Sequence, residues 1–270
     1  MDSLVTTEWL AREMGASDLR IVDASYFLPD SGRDAAAEYE AAHIPGAVFM
    51  DLGNLVDEAS PVSNTLPSAE KFASRMQGLG LGDGSRIVLY DNSPLKSATR
   101  AWFMLTMFGA HHVAILDGGL AKWQAEGRAV DAGMQTLRCR HFTVWQDVRR
   151  LRSKDQMLDN LASRAEQVVD ARSAERFAEE GHIPGARSLH YASLFNADGT
   201  WKSPADLAAA FAAAGIDVDK PVVASCGSGI TANVPLFALH LLGKEGALYD
   251  GSWGEWGADP ATPKELGVPA

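Results

Sequence analysis

An internal duplication constrains this chain more than any other feature of its sequence. The segment HIPGA occurs at 43–47 and again at 182–186. Further along, Arg86–Asp91 matches Pro221–Cys226, and an Asp-Gly-Gly at 117–119 matches Asp-Gly-Ser at 250–252. Ordered matches at a nearly constant offset of roughly 135 residues are typical of tandem domains, since the period is too long for a solenoid. We therefore predict two copies of one fold, at residues 1–130 and 155–270.

Short apolar runs mark the strands of each copy. Leu19–Asp23 and Gln167–Asp170 are β-branched runs that end in Asp, whereas 86–90 and 221–225 are apolar without alternation. Continuous apolar runs of this length are typical of strands buried on both faces of a parallel sheet. With helices between the strands, the pattern predicts the α/β class: in each copy, a mostly parallel sheet flanked by helices.

The helices between these strands have recognisable ends. Ser68 and Ser203 are suitable N-cap residues, because a serine side chain can accept a hydrogen bond from the first turn. Gly80 and Gly215 fit the C-terminal ends of the same two helices. The equivalent positions of the four residues support the duplication.

The segment 131–154 is the predicted linker. It carries two acidic residues, Asp131 and Asp147, and six basic ones: Arg138, Arg140, Arg149, Arg150, Arg152 and Lys154. We interpret it as a basic stretch that lies across acidic domain surfaces. The alternative is a docking site for an acidic partner protein.

Charge and cysteine content exclude several classes of function. With 24 basic and 35 acidic residues, the chain has a formal charge of −11, which argues against nucleic acid or an anionic membrane as its main partner. Asp2 stands where a signal peptide carries basic residues, so we expect a cytoplasmic protein. Cys139 and Cys226 cannot form a disulfide framework or a zinc site, and we expect no metal and no cofactor.

The second cysteine opens a glycine-containing loop between a buried strand and an apolar helix. Glycines let successive backbone N–H groups point inward, and the positive end of the helix dipole adds to this anion cradle. Such a cradle favours a thiolate, which is the nucleophilic form of cysteine. The predicted nucleophile is Cys226, whereas Cys139 is structural or incidental. The predicted cradle consists of Gly227, Ser228, Gly229, Ile230 and Thr231.

Other reactions of a cysteine in this position fit less well. Protein phosphatases use C-x5-R, but Ala232 stands six residues after Cys226, where the arginine is needed. A Cys-His hydrolase needs a histidine held near the sulfur, and His240 lies several turns along the helix. The remaining option is a cradle for a terminal sulfur anion, the persulfide Cys–S–S⁻.

These motifs together resemble the two-domain rhodanese superfamily and, within it, the 3-mercaptopyruvate sulfurtransferases. Cys226–Ala232 is similar to the CGSG[VI]TA loop of that group, whereas thiosulfate-preferring members usually carry basic residues there. The two HIPGA segments and the DGSWGEW motif at 250–256 also fit. The resemblance implies two rhodanese-like domains, of which the first is catalytically silent because Asp91 stands in the place of Cys226.

The resemblance also implies a mechanism and its partners. Cys226 would take sulfur from a small-molecule donor, 3-mercaptopyruvate, and pass it from a persulfide to a thiol, a thioredoxin-like protein or cyanide, without a cofactor. The alternatives are thiosulfate as donor, or a persulfide-carrier or docking module that a partner protein loads.

Family members bind the donor's carboxylate through arginines. Arg176, in Glu175-Arg176-Phe177, matches the first of them, although it could instead pair with Glu179 or Glu180 on the helix surface. The loop that supplies a second arginine is absent, and Arg187 and Arg100 are further candidates for substrate contact.

A Ser-His-Asp relay described for some members is also missing from the sequence. Asn64 stands at the position of the histidine and Gly53 at that of the aspartate, which leaves Ser228 as a hydrogen-bond donor only.

Overall fold

The computed structural model describes residues 1–267, which divide into two compact units. The first unit contains Met1–Val56, Leu66–Asp147 and Ala197–Thr200; the second contains Asp57–Thr65, Val148–Asn196 and the chain from Trp201 onward. The predicted linker therefore has residues in both units. The domain boundaries 1–130, 131–154 and 155–270 stay a prediction.

The first unit is built on a five-stranded sheet in the order β1-β5-β4-β2-β3, with parallel pairing throughout. Its strands are β1 (Leu4–Val5), β2 (Leu19–Asp23), β3 (Val48–Phe49), β4 (Arg86–Tyr90) and β5 (Val113–Leu116). Its helices are α1 (Thr7–Glu13), α2 (Ala35–Ala41), α3 (Ala69–Gly78), α4 (Ala98–Met107) and α5 (Gly119–Ala125), with a 3-10 turn at Pro29–Ser31.

The second unit repeats this topology in the order β6-β10-β9-β7-β8, again parallel. Its strands are β6 (Leu151–Arg152), β7 (Gln167–Asp170), β8 (Arg187–Ser188), β9 (Val222–Ser225) and β10 (Ala247–Tyr249). Its helices are α6 (Lys154–Ser163), α7 (Ala174–Glu179), α8 (Pro204–Ala213), α9 (Asn233–Leu241) and α10 (Ser252–Trp256), with 3-10 turns at Val148–Arg150 and Tyr191–Leu194. The predicted α/β class and the duplication are confirmed.

Capping explains where the paired helices begin and end. The side chain of Ser68 accepts the N–H of Lys71 at the start of α3, and that of Ser203 accepts the N–H of Asp206 at the start of α8. Gly80 and Gly215, just beyond these helices, have φ of 70° and 74°, in the left-handed region that glycine adopts without strain.

Each unit closes its own core around the central strand. Val88 and Tyr90 of β4 are completely buried, and Trp123 of α5 packs in the same cluster. In the second unit, Val223 of β9 lies in a cluster with Trp256 of α10. Burial of apolar surface on both faces of the central strands holds them in the middle of their sheets.

The histidines of the two HIPGA segments are structural. His43 Nδ1 lies 2.8 Å from the carbonyl oxygen of Tyr39, and His182 Nδ1 lies 3.1 Å from that of Phe177. Each ring also stacks on the aromatic ring of the same partner, at 4.2 Å and 3.7 Å between centroids. The buried rings therefore fix the turn that leads into β3 or β8.

The described residues contain neither a membrane-spanning helix nor a cluster of metal-ligating side chains. No helix between residues 1 and 267 is long and apolar enough to cross a membrane. Over the same residues, no three or more His, Cys, Asp or Glu side chains are grouped so that they could hold a metal ion.

Candidate active site

Cys226 lies directly after the central strand of the second sheet. β9 runs between β10 and β7, and the cysteine follows its last residue, Ser225, at the carboxyl end. Ligands of open parallel α/β sheets bind at this edge. Cys226 is 1% exposed and its thiol forms no disulfide, so the sulfur is buried at this edge of the sheet.

Residues 227–232, the cradle loop, connect Cys226 to α9. Its last turn is closed by the N–H groups of Asn233 and Val234, which donate to the carbonyl oxygens of Ile230 and Thr231. Within the described part of the chain, no hydrogen bond is formed by the backbone N–H groups of Gly227, Ser228, Ile230 and Thr231. Four unpaired N–H groups at the start of a helix form a site suited to an anion.

Helix α10 fixes the start of the loop from the other side. The N–H of Trp253 donates to the carbonyl oxygen of Cys226 at 2.9 Å, and the N–H of Gly254 donates to that of Gly227 at 2.8 Å. A Cβ on Gly254 would lie 3.1 Å from the Gly227 carbonyl oxygen, so a larger residue would press on the loop. Both carbonyls are thus held away from the sulfur.

Ser252, which the sequence reasoning missed, contacts Cys226 directly. Its hydroxyl oxygen accepts the backbone N–H of Cys226 at 3.1 Å and lies 3.9 Å from Sγ. The same hydroxyl is within 2.9 Å of the carbonyl oxygen of Tyr249. Ser252 is completely buried and has φ of 50°, an unfavourable value for a residue with a Cβ. A signal existed in the duplication, because the matching residue of the first copy is Gly119.

Asn233 contacts the cradle loop from the first turn of α9. Its Nδ2 donates to the carbonyl oxygens of Gly229 and Ile230 at 2.7 Å and 2.8 Å. The side chain is fully buried, and its Oδ1 has no hydrogen-bond partner among the described residues. No sequence pattern predicted this contact, because Asn233 stands within a run interpreted as an apolar helix.

Arg176 lies beside the loop and is also paired with a carboxylate. It donates to Glu180 through Nε at 2.8 Å and Nη2 at 3.1 Å, and these hydrogen bonds raise the pKa of its guanidinium. A Cβ built on Gly227 would lie 3.4 Å from Arg176 Nη1. The helix-surface pairing and the position near Cys226, which the sequence set as alternatives, therefore occur together.

Arg172 lies beneath this pair and is structural. It binds Asp170 through Nε and Nη2, with the shortest contact 2.7 Å, and its Nη1 reaches Glu180 at 3.2 Å. Its guanidinium carbon lies 4.7 Å from the ring centre of Trp253. With only 1% of its side chain exposed, Arg172 links the end of β7 to α7 and is not available to a substrate.

The two other candidate arginines lie elsewhere. Arg187 Nε is 3.7 Å from a Cβ built on Gly215, so its guanidinium lies where α8 ends and before β9 begins, away from the cradle loop. Arg187 is not part of the substrate site that we propose below. Arg100 is buried in α4 of the first unit, and its contact with substrate stays a prediction.

The matching loop of the first unit satisfies its own N–H groups. The carboxylate of Asp91 accepts the N–H of Ala98 at 2.8 Å and that of Ser93 at 3.1 Å. Burial raises the pKa of this carboxyl, and nearby Lys96 and the two N–H groups oppose the shift. The loop therefore already contains an acceptor group for its own N–H groups.

Comparisons with known proteins agree with this geometry. The family model of the rhodanese-like domain matches residues 6–126 and 153–259. The chain is 38% identical to the 3-mercaptopyruvate sulfurtransferase of Escherichia coli K12, over 97% of each protein, and 36% identical to the thiosulfate sulfurtransferase of Bos taurus, over 94% of this chain and 91% of that one. The crystal structure of SseA from Escherichia coli, described as a 3-mercaptopyruvate sulfotransferase, superposes with a TM-score of 0.89 at 38% identity, covering 94% of this chain and 99% of that one.

Proposed function

The chain belongs to the rhodanese-like domain family, and we propose that it is a sulfurtransferase that moves sulfur from 3-mercaptopyruvate to a thiol. The observation that carries this proposal is the free, buried Cys226, followed by a loop in which four backbone N–H groups have no partner among the described residues. A terminal persulfide sulfur has a single negative charge, which backbone N–H groups can hold without a side-chain cation.

The reaction begins with attack of the Cys226 thiolate on the sulfur of 3-mercaptopyruvate. The new S–S bond forms as the C–S bond of the donor breaks. The electron pair of the broken C–S bond leaves with the three-carbon fragment, which is the enolate of pyruvate. The proton of the donor's thiol ends on that enolate, which gives pyruvate and Cys226–S–S⁻. An acceptor thiolate then attacks the outer sulfur and releases the Cys226 thiolate, so no external oxidant or reductant is needed.

The electrostatics of the loop favour this donor over thiosulfate. Residues 226–231 carry no charged side chain, and the cation placed closest to them by the contacts above, Arg176, is already paired with Glu180. One partly neutralised guanidinium suits the single carboxylate of mercaptopyruvate better than the two charges of thiosulfate. Thiosulfate stays the alternative donor, because the chain is also 36% identical to the thiosulfate sulfurtransferase of Bos taurus.

The substrate site proposed here consists of Cys226, the cradle loop and Arg176. Ser228 and Thr231 carry hydroxyls that can donate to the persulfide or to the carbonyl of the donor. A thioredoxin-like acceptor and a cytoplasmic location belong to the same proposal, and the sulfur chemistry supports the first of them. A carrier loaded by a partner protein is the competing possibility.

The test is uptake of sulfur by the purified protein. Intact mass and peptide mapping follow a short incubation with 3-mercaptopyruvate and, in parallel, with thiosulfate. We expect one added sulfur atom on Cys226 from mercaptopyruvate. The Cys226→Ser variant should take up none, and the Cys139→Ser variant, altered at the exposed thiol, should behave like the wild type.

The other outcomes are equally informative. Loading from thiosulfate alone would assign the protein to the thiosulfate-specific branch and reject our choice of donor. Loading from neither compound would reject the enzyme and favour the carrier.

A further inference from the structure

We propose that Asn233 is a positioning residue, which orients the peptide groups of the cradle loop so that their N–H groups face the sulfur of Cys226. The inference rests on the proposed function of Cys226. It concerns a side chain that does not touch the sulfur and acts through the loop's backbone.

The contacts of Asn233 are specific for the loop's carbonyls. Nδ2 donates to two of them, those of Gly229 and Ile230, and the backbone N–H of Asn233 also donates to Ile230. A side-chain amide has two N–H donors, so both are used. The carbonyl groups of two successive residues are therefore held on the same side, toward α9.

The direction of each carbonyl also determines the direction of the N–H group in the same peptide. A trans peptide is planar, and its C=O and N–H point in opposite directions. With the carbonyls of Gly229 and Ile230 held toward Asn233, the N–H groups of Ile230 and Thr231 point away from it. These are two of the four N–H groups that have no partner within the described residues.

The cost of burying Asn233 argues that its amide is used. The side chain is completely buried while Oδ1 lacks a partner among residues 1–267. A buried acceptor without a partner is destabilising, and an apolar residue would avoid it. The two hydrogen bonds that Nδ2 donates to the loop's carbonyls offset this destabilisation.

The duplicated loop gives an internal comparison. Asn233 and Ala98 each stand seven residues after the position that carries Cys226 or Asp91, at the first residue of the following helix. In the first unit, the N–H of Ala98 donates to the Asp91 carboxylate, and position 98 has no side-chain amide. The amide thus occurs in the copy whose loop must leave its N–H groups open for a sulfur anion.

The experiment compares Asn233→Ala and Asn233→Ser with the wild-type chain. The first readout is the ultraviolet absorbance of the Cys226 thiolate at neutral pH, taken as a difference from Cys226→Ser, which needs no turnover. The second is kcat/KM for 3-mercaptopyruvate. We expect both the thiolate fraction and kcat/KM to fall in Asn233→Ala, kcat/KM by about tenfold, as loss of hydrogen bonds to an anion requires. Asn233→Ser, with one donor left, should lie between.

Asn160→Ala is the matched control. Asn160 is a buried asparagine of the same unit that bonds the backbone of Glu166 at both ends of its amide, so its loss should lower stability without changing the thiolate fraction. A wild-type thiolate fraction in folded Asn233→Ala would overturn the proposal, and so would an equal fall in Asn160→Ala. If no donor loads Cys226, the proposed function fails, but the absorbance comparison still decides the role of Asn233.

Discussion

Ser252 shows how one residue can carry strain for the sake of a contact. Its φ of 50° is unfavourable for a side chain with a Cβ, by about 1 kcal/mol. In the first unit, Gly119 has φ of 58°, and a Cβ there would lie only 2.5 Å from the carbonyl oxygen of Asp91. The serine hydroxyl in the second unit instead holds the N–H of Cys226. The strained residue occurs in the unit that has the cysteine.

Replacement of Ser252 should separate stability from activity. Ser252→Gly loses two hydrogen bonds, those with the N–H of Cys226 and the carbonyl of Tyr249, about 2 kcal/mol together, and regains about 1 kcal/mol because glycine is unstrained at this φ. We expect its thermal midpoint to fall only slightly while kcat/KM for 3-mercaptopyruvate falls about tenfold. Ser252→Ala keeps the strain and should have a lower midpoint than Ser252→Gly. Wild-type activity in both variants would show that the hydroxyl does not assist Cys226.

Arg176 is expected to act on binding more than on chemistry. Loss of a charge-assisted hydrogen bond to the donor's carboxylate corresponds to a KM increase of roughly tenfold to a hundredfold in Arg176→Ala. Arg176→Lys keeps the charge without the planar fork and should recover part of the loss. Steady-state kinetics with 3-mercaptopyruvate measures both, with Lys220→Ala as a control for loss of an exposed cation in the same unit. An unchanged KM in Arg176→Ala would remove Arg176 from the site.

At the scale of elements, the two loops that join a central strand to the next helix have equal length but differ in the hydrogen bonding of their backbone N–H groups. After β9, four backbone N–H groups have no partner within the described residues, whereas after β4 most of them form hydrogen bonds. The backbone N–H of Asn92 donates to the hydroxyl of Ser25, and that of Leu95 donates to the hydroxyl of Ser93. Pro94 has no backbone N–H. A cysteine alone would not make the first loop a cradle.

The variant Asp91→Cys tests this difference. We expect it to take up no second sulfur from 3-mercaptopyruvate, because the N–H groups of Asn92, Leu95 and Lys96 keep their hydrogen bonds when the Asp91 carboxylate is removed. Intact mass should still show a single added sulfur, located on Cys226 by peptide mapping. Asp91→Asn, which keeps the side-chain shape but only one of the two acceptor oxygens, controls for the effect on stability. A doubly loaded Asp91→Cys would show that the thiol alone determines activity.

Sequence patterns predicted elements with local causes and missed those that depend on distant contacts. The runs that form β4 and β9 were predictable because the central strands are apolar on both faces. The starts of α3 and α8 were predictable because Ser68 and Ser203 are suitable N-cap residues. Strands of two residues, such as Leu4–Val5, have too little pattern to detect, and their pairing with a distant strand defines them. Ser252 reaches Cys226 from another element, so no local pattern indicated the contact.

On the scale of the whole molecule, the duplication places a buried aspartate at the same point of both sheets with different partners. Asp170, at the end of β7, is neutralised by Arg172. Asp23, at the end of β2, has Ser25 and Tyr90 as neutral partners, and burial raises its pKa to about 6. The two units should therefore differ in how their stability responds to pH.

The first unit should lose stability as the pH rises. A carboxyl whose pKa is 3.8 when unfolded and about 6 when folded binds its proton more tightly in the folded state. Its contribution is therefore fully present below the unfolded value and is lost as the pH rises through about 6. The difference corresponds to ~3 kcal/mol. Asp23→Asn should remove it, so the variant's first unit should be more stable than the wild type at neutral pH and similar near pH 4 (about the unfolded pKa).

The second unit supplies the control of opposite sign. Asp170→Asn leaves the buried Arg172 without its main partner, which should destabilise that unit by about 3–5 kcal/mol at neutral pH. Because unfolding of two units need not be a single two-state transition, hydrogen exchange of the β2 and β4 amides reads the first unit and that of β7 and β9 the second. Slower exchange in β2 of Asp23→Asn together with faster exchange in β7 of Asp170→Asn is the expected pair of results. Faster exchange in both would mean that the neighbours of Asp23 stabilise its carboxylate at neutral pH by more than burial destabilises it.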